Sequence, residues 1–310
     1  MLAVTSLDQI PVSIKATAVS IGKFDSIHLG HQEIFRQQVK LASAQSLTPT
    51  VVTFDKHPDY LLRPESAKLP ILGPSQKRGL ISENGIELML ELGFDQQLAS
   101  LPAAEFVQKI LVQGLNAKAV FIGSGFRFGN QGLGDYALLQ SLGTQFGFQV
   151  IQVEPVTVAE EIVSTTAIRN LLDAGEIVKA NTFLGRTHEV QGVIEHGLKI
   201  GRKIGFPTAN MSRDAEGYLP LDGVYSGWLV SDGVRYPAAH SVGINETFQA
   251  VPRLVESHVL DETDLDLYDK VVVLEFVDFV RPAAKFDGVE PLVAQINLDL
   301  EQVRKQLGLK

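Results

Sequence analysis

The feature that most constrains this chain is a change of hydrophobic period just past its middle. In the first half, apolar runs alternate with helix-like stretches. "TAVSIGKF" (17 to 24) reads as a strand, "GHQEIFRQQVKLASAQ" (30 to 45) as a helix and "TPTVVTF" (48 to 54) as a strand again. Helical patterns are expected around 75 to 92 and 103 to 114, then a strand over 117 to 123, a helix near 134 to 146 and a strand over 148 to 153. Strands spaced by helices imply a mostly parallel sheet covered on both faces, with ligands bound beyond the strand C-terminal ends. After two short helical segments, 166 to 173 and 176 to 183, the pattern becomes β-rich: "HEVQGVIEHG", "GVYSGWLV", "YPAAHSVGI", "RLVESHVL" and "KVVVLEFVDFV". Successive strands with turn residues at most junctions predict an antiparallel sheet or small barrel, closed by a helix over about 288 to 307. The expected domains are residues 1–183 and 184–310.

Charge and composition narrow the function. The formal net charge is -9, which argues against a broad duplex nucleic-acid surface, because such a surface must displace counterions with basic residues. Phosphate sites, if present, are local. With no cysteine in the chain, thiolate metal sites, disulfides and Cys nucleophiles are excluded. The stretch "MLAVTSLDQIPVSIK" lacks a basic segment followed by an apolar run, and no apolar run approaches the ~18 residues that span a bilayer. A cytoplasmic protein without membrane contact is expected.

The first local phosphate site is "FDSIHLGHQ", between the first strand and its helix. There His28, Gly30 and His31 meet backbone amides and a helix N-terminus that favour an anion. Gly30 permits close backbone approach, and imidazoles can donate to phosphoryl oxygens as charge builds. A second candidate is "VSTTAIRNLL" (163 to 172), where Ser164, Thr165 and Thr166 open a helix that carries Arg169. Hydroxyls and amides at a helix start hold phosphate, and a guanidinium neutralises it with several donors.

"IGKFDSIHLGHQ" resembles the HxGH signature of nucleotidylyltransferases, and "VSTTAIR" resembles that family's ISSTxxR motif. The resemblance implies a Rossmann-like nucleotidylyltransferase fold, paired histidines on ATP phosphates, and ATP contacts from Gly22, Phe24, Asp25 and Gly30 beside Ser164, Thr165, Thr166 and Arg169. "TFDKHP" (53 to 58) resembles the TFxPHP stretch of prokaryotic FMN adenylyltransferases, which implies flavin contacts from Phe54, His57 and Pro58. "GSGFRFGNQGLGD" (123 to 135) does not complete GxGxxG. It resembles the family's GxDFRFG loop, with Phe126 toward the flavin. Three positions depart from the pattern: Gly125 where Asp or Asn is usual, Ser26 where Gly is usual, and Ala167 where many members have Arg.

The β-rich half carries a separate set. "GLKIGRKIGFPTANM" (197 to 211) gathers Lys199, Arg202 and Lys203 with Gly201 and Gly205, a backbone suited to wrapping phosphate. Pro207, Thr208, Ala209 and Asn210 follow as a rigid turn whose Thr208 hydroxyl and Asn210 amide suit oxygen-ligated magnesium. This stretch resembles the riboflavin kinase signature, and matches continue in order through "DGVYSGW", "SVGINETF", "LVESHVLD" and "DLYDKVVVLEFVDFVRP". The resemblance implies a carboxylate base, Glu256, and ATP contacts from Gly201, Arg202, Gly205, Pro207, Thr208 and Asn210. Arg281 and Phe286 are expected near the flavin. By strand alternation Glu256 shares a face with Leu254 and His258 and is expected in a barrel mouth.

Both motif sets occur in the order of bifunctional FAD synthetases. The implied chemistry is phosphorylation of riboflavin to FMN with ATP and magnesium, then adenylyl transfer from ATP to FMN to give FAD and pyrophosphate. A kinase with a degenerate first domain, a non-catalytic flavin-binding protein, and a homo-oligomeric assembly all stay open at this point.

Overall fold

The apolar runs of the first half assemble into one parallel sheet, ordered β1-β4-β3-β2-β5-β6 in the computed structural model, which describes residues 1–196, 200–243, 253–262 and 264–309. In chain order the elements are β1 (Leu2–Val4), β2 (Thr17–Ile21), α1 (Leu29–Gln45), β3 (Thr48–Phe54), α2 (Asp59–Leu62), α3 (Pro74–Glu83), β4 (Leu88–Leu92), α4 (Gln96–Ala99), α5 (Ala103–Phe106), β5 (Ala117–Gly123), α6 (Tyr136–Phe146) and β6 (Gln149–Val153). Every residue of β2 is buried, as expected of a strand covered on both faces. The two faces have separate cores, one around Val19, Leu90, Leu111 and Leu139, the other around Phe24, Phe35, Val51 and Phe121. α1 is fastened by Gln38, whose buried side-chain amide donates to the carbonyls of Ala18 and Thr50, both at 2.7 Å.

β2 pairs with β3 on one side and β5 on the other, so the strand order reverses at β2. Such a switch point opens a crevice at the strand C-terminal ends. The expected helix over 75 to 92 is two elements: α3 ends near Gly85, whose φ is +81°, and the remaining apolar run forms β4. A fully buried strand shows no alternation, so its pattern cannot be told from a helical segment. The 103 to 114 segment begins as α5 and continues as a π-helical stretch over Val107–Gly114. A short hairpin, β7 (Thr157–Val158) and β8 (Glu161–Ile162), follows the sheet.

The second half contains α7 (Thr165–Asp173), α8 (Ile177–Leu184), β9 (His188–Glu195), α9 (Ile200–Lys203), β10 (Ala209–Met211), β11 (Gly223–Ser231), β12 (Val234–Gly243), β13 (Leu254–Val259), β14 (Val271–Pro282) and α10 (Val289–Gln306). Its six strands close into an antiparallel barrel ordered β10-β13-β12-β11-β14-β9. The three-residue β10 is too short to show in sequence, yet without it the barrel would not close.

The compact units are Met1–Val163 and Ser164–Lys310. α7 and α8 therefore group with the barrel, although the expected boundary lies after residue 183. The physical reason is in their bonds: Asn181 Nδ2 donates to the Phe276 carbonyl at 2.8 Å, and Asn181 Oδ1 accepts from the His188 amide at 2.7 Å.

Candidate active sites

The loop from β2 to α1 lies at the switch point and is held by its own strain and bonds. Phe24 and Ile27 adopt φ of 49° and 43°, a left-handed conformation that non-glycine residues sustain only when the surroundings dictate it. Both side chains are buried in the core, at 1% and 0% exposure. The Phe24 ring meets His31 edge-on at 5.2 Å and Phe35 at 4.9 Å, so it buttresses the site. Asp25 Oδ1 accepts from the Ile71 amide at 2.9 Å, which ties the loop to the segment before α3. The two motif residues expected on ATP thus have structural bonds of their own.

His28 is the N-cap of α1. Its Nδ1 accepts from the amides of Gly30 at 3.1 Å and His31 at 3.4 Å, so the proton of the neutral ring belongs on Nε2. The cap places the His28 ring at the helix N-terminus, where the dipole favours an anion. A Cβ on Gly30 would lie 3.0 Å from His28 Cε1, a contact tight enough that the ring would have to shift. The His31 ring stacks on His28 with centroids 3.8 Å apart. At Gly22, a Cβ would lie 3.0 Å from the Phe24 ring.

The expected flavin residues of this unit lie at neighbouring strand ends. Phe54 ends β3 and packs edge-on against Phe94 at 5.3 Å. Lys77 Nζ donates to the Phe54 carbonyl at 2.9 Å and lies 3.6 Å from Glu91; burial lowers the affinity of that amine for its proton. Sequence reading missed Lys77, whose signal is only a lysine in the first turn of a helix. His57 Nδ1 accepts from the Asp59 amide at 3.1 Å, and Pro58 caps α2. Phe126 stacks on Phe128 at 5.6 Å.

Two of the three motif departures have a backbone answer. Ser26 is fully buried but is not among the residues with positive φ, so glycine is not required there. Gly125 has φ +73° with open space where a Cβ would stand, a conformation that Asn or Asp also tolerates. At the start of α7, Ser164 Oγ accepts from the Ala167 amide at 3.2 Å, so position 167 contributes its amide to the cap. Thr165 and Thr166 form the first turn, and Arg169 lies buried at 5% exposure.

In the barrel unit the phosphate-loop candidates fold back on themselves. Phe206 N donates to the Gly201 carbonyl at 2.8 Å, and a Cβ on Gly201 would overlap the Phe206 carbonyl oxygen. Gly205 has φ +91°. Lys199, the side chain of Lys203 and the whole of "INETF" lie outside the described residues. Arg202, Pro207 and Thr208 line an open cleft of about 470 Å³, with Leu265, Leu267 and Tyr268 as apolar walls.

Across the β10–β13 ladder Asn210 pairs with Glu256 and Ala209 with Ser257. Val255, Ser257 and Val259 are buried inside the barrel, so Glu256 projects from the opposite, outer face and not into the barrel mouth. It shares that face with Asn210 and with Ser241 of β12, its other register partner. Thr208 Oγ1 donates to Glu256 Oε2 at 3.2 Å. Burial pushes the Glu256 carboxyl above the usual carboxylate range, while the Thr208 bond acts the other way. Thr208, Asn210 and Glu256 place hydroxyl, amide and carboxylate oxygens on one face. These are hard donors that suit a divalent cation shared with nucleotide phosphates.

His258 anchors this site: its Nδ1–H donates to the Pro207 carbonyl at 2.8 Å. Its period-two spacing from Glu256 was the available signal. Arg281 stands near the end of β14. Its guanidinium is engaged by Asp299 through Nε at 2.8 Å and Nη2 at 2.8 Å, with Phe286 5.5 Å away; it ties β14 to α10.

The comparisons agree with this two-part picture. Residues 11–167 match the family model for FAD synthetase, and residues 184–307 match that for riboflavin kinase. A bifunctional riboflavin kinase/FMN adenylyltransferase of Pseudomonas fluorescens is 33% identical over 98% of this chain and 97% of its own. A protein of the same name from Listeria monocytogenes is 32% identical over 92% of this chain and 91% of its own. A crystal structure named as a macrolide-efflux protein from Streptococcus pneumoniae superposes with a TM-score of 0.87 at 32% identity, covering 98% of each chain. That name is the other protein's; among the described residues here no helix is long and apolar enough to cross a membrane.

Proposed function

We propose a division of labour among the residues above, from the premise that this chain belongs to the bifunctional riboflavin kinase/FMN adenylyltransferase family. It phosphorylates riboflavin to FMN with ATP and transfers the adenylyl group of ATP to FMN, giving FAD and pyrophosphate. Residues 184–310 are proposed as the kinase domain and 1–183 as the adenylyltransferase domain. The proposed setting is the cytoplasm.

In the kinase step Glu256 accepts the proton of the ribityl 5′-hydroxyl as that oxygen bonds to the γ-phosphorus and ADP departs. A carboxyl raised by burial is a stronger base than an exposed one. Gly201, Arg202 and Gly205 cradle the phosphates, and Thr208 and Asn210 would hold magnesium, which when bound neutralises phosphate charge. In the adenylyl step an FMN phosphate oxygen attacks the α-phosphorus and pyrophosphate leaves, with no covalent enzyme intermediate. His28 donates through Nε2 and, with His31, offsets the charge that develops. Ser164, Thr165, Thr166 and Arg169 are proposed ATP ligands; Phe54, His57, Pro58 and Phe126 are proposed flavin contacts. Gly22, Phe24 and Asp25 act through the loop conformation they fix.

The observation that carries the reading is the meeting of Thr208 and Glu256, 48 positions apart in sequence, on one face of the β10–β13 ladder. Chromatographic product analysis from riboflavin and ATP tests it. Wild type yields FMN, FAD and pyrophosphate. His28→Ala accumulates FMN, with adenylyl-transfer kcat lowered about 100-fold or more and a smaller change in the KM for ATP. Normal FAD formation by this variant overturns the role of His28.

A further inference from the structure

α7 carries a bond network that reaches into the kinase sequence. Arg169 is buried, and its guanidinium carbon lies 5.0 Å from the centroid of the Tyr218 ring. The Tyr218 hydroxyl donates to Asp173 Oδ1 at 2.6 Å, and Asp173 stands one turn after Arg169 on the same helix. The tyrosine is fixed from its other side as well. Its carbonyl accepts from His188 Nε2 at 2.7 Å, and three residues later the Leu221 amide donates to the Leu172 carbonyl of α7 at 2.9 Å. Burial keeps the phenol protonated, so it remains a donor to Asp173 at neutral pH.

The ring beneath Arg169 thus belongs to the segment leading into β11, within the stretch matched to riboflavin kinase. Arg169 itself belongs to the motif proposed for ATP in the other reaction. A long side chain with several rotamers reaches a phosphate productively only from a few of them, and a planar guanidinium on an aromatic face is restricted to those parallel to the ring.

We infer that Tyr218, fixed by Asp173, is a positioning residue for Arg169, so that adenylyl transfer to FMN depends on a side chain supplied by the kinase sequence. This rests on Arg169 acting as an ATP ligand.

The test measures the two reactions separately on the full chain: riboflavin with ATP, and FMN with ATP. Tyr218→Leu removes the plate and is expected to lower kcat/KM for ATP in adenylyl transfer about ten-fold, while phosphorylation stays within about two-fold of wild type. Tyr218→Phe keeps the plate and is expected to recover most of that loss, a rescue that simple loss of loop packing would not give separately in one reaction. Equal losses in both reactions, or unchanged adenylyl transfer by Tyr218→Leu, overturn the inference. Arg169→Ala tells the two failures apart. If it leaves adenylyl transfer intact, the ATP role of Arg169 falls and the inference with it; if it impairs that reaction while Tyr218→Leu does not, the inference alone falls.

Discussion

The two phosphate-handling regions reach similar ends by different means. The His28 loop is fixed by main chain: a helix start, two left-handed residues and a glycine under an imidazole. The Thr208–Asn210 turn is fixed by side chains from another strand, through Glu256 and His258. A site of the first kind has its donors in place before substrate arrives, because they are part of the secondary structure. A site of the second kind depends on the protonation of the groups that brace it.

The largest expected break in this comparison is Glu256→Gln. It should lower phosphorylation of riboflavin by about 100- to 10,000-fold and leave adenylyl transfer to supplied FMN unchanged; loss of both reactions would mean that the variant has disturbed the fold.

The next concerns the barrel itself. His188 and His240 are fully buried, and burial pushes each imidazole down to about 4 from an ordinary value of 6.5. Burial holds both neutral, against bonds to backbone carbonyls that favour the protonated ring; His240 Nδ1 also lies 2.9 Å from Ser257 Oγ. Below about 6.5 the unfolded chain takes up these protons first, so stability present above that range is lost as pH falls toward 4. Denaturant unfolding of the barrel unit should show about 2 kcal/mol of loss per imidazole from about pH 7 to about pH 5. His240→Gln should be less stable at neutral pH but lose only about half as much on acidification; an unaltered slope would remove His240 from the account.

The smallest effect sharpens the contrast. The Thr208 bond lowers the Glu256 carboxyl against the upward push of burial. Thr208→Val should therefore move the acid limb of the kinase pH–rate profile to higher pH, with no change in the adenylyl-transfer profile. A limb that stays put or moves down contradicts the assignment of that limb to Glu256.

How much of this was legible in the sequence follows from what each signal encodes. β2, β3, β5 and β6 were readable because apolar runs bounded by turns have few other uses. "IELMLEL" was not, since continuous burial erases the period that tells strand from helix, and β10 is shorter than any pattern. Motif letters located the His28 loop and Glu256 but not what their neighbours do. The motif letters at Phe24, Asp25 and Arg281 do not announce that each also holds a piece of the protein. Strand alternation put Glu256 and His258 on one face; only the burial of Val255, Ser257 and Val259 shows that this is the outer one.

Closure of the barrel has a further consequence. Each of its six described strands has two neighbours, although short β10 pairs with only Ile194 and Glu195 of β9. Among the described residues, the strands with a neighbour on one side only are three-residue β1, five-residue β6 and the two strands of the β7–β8 hairpin. Cross-β aggregation, where it begins from the folded protein, should therefore start at the nucleotide-transferring half, with Gln149–Val153 as its natural template.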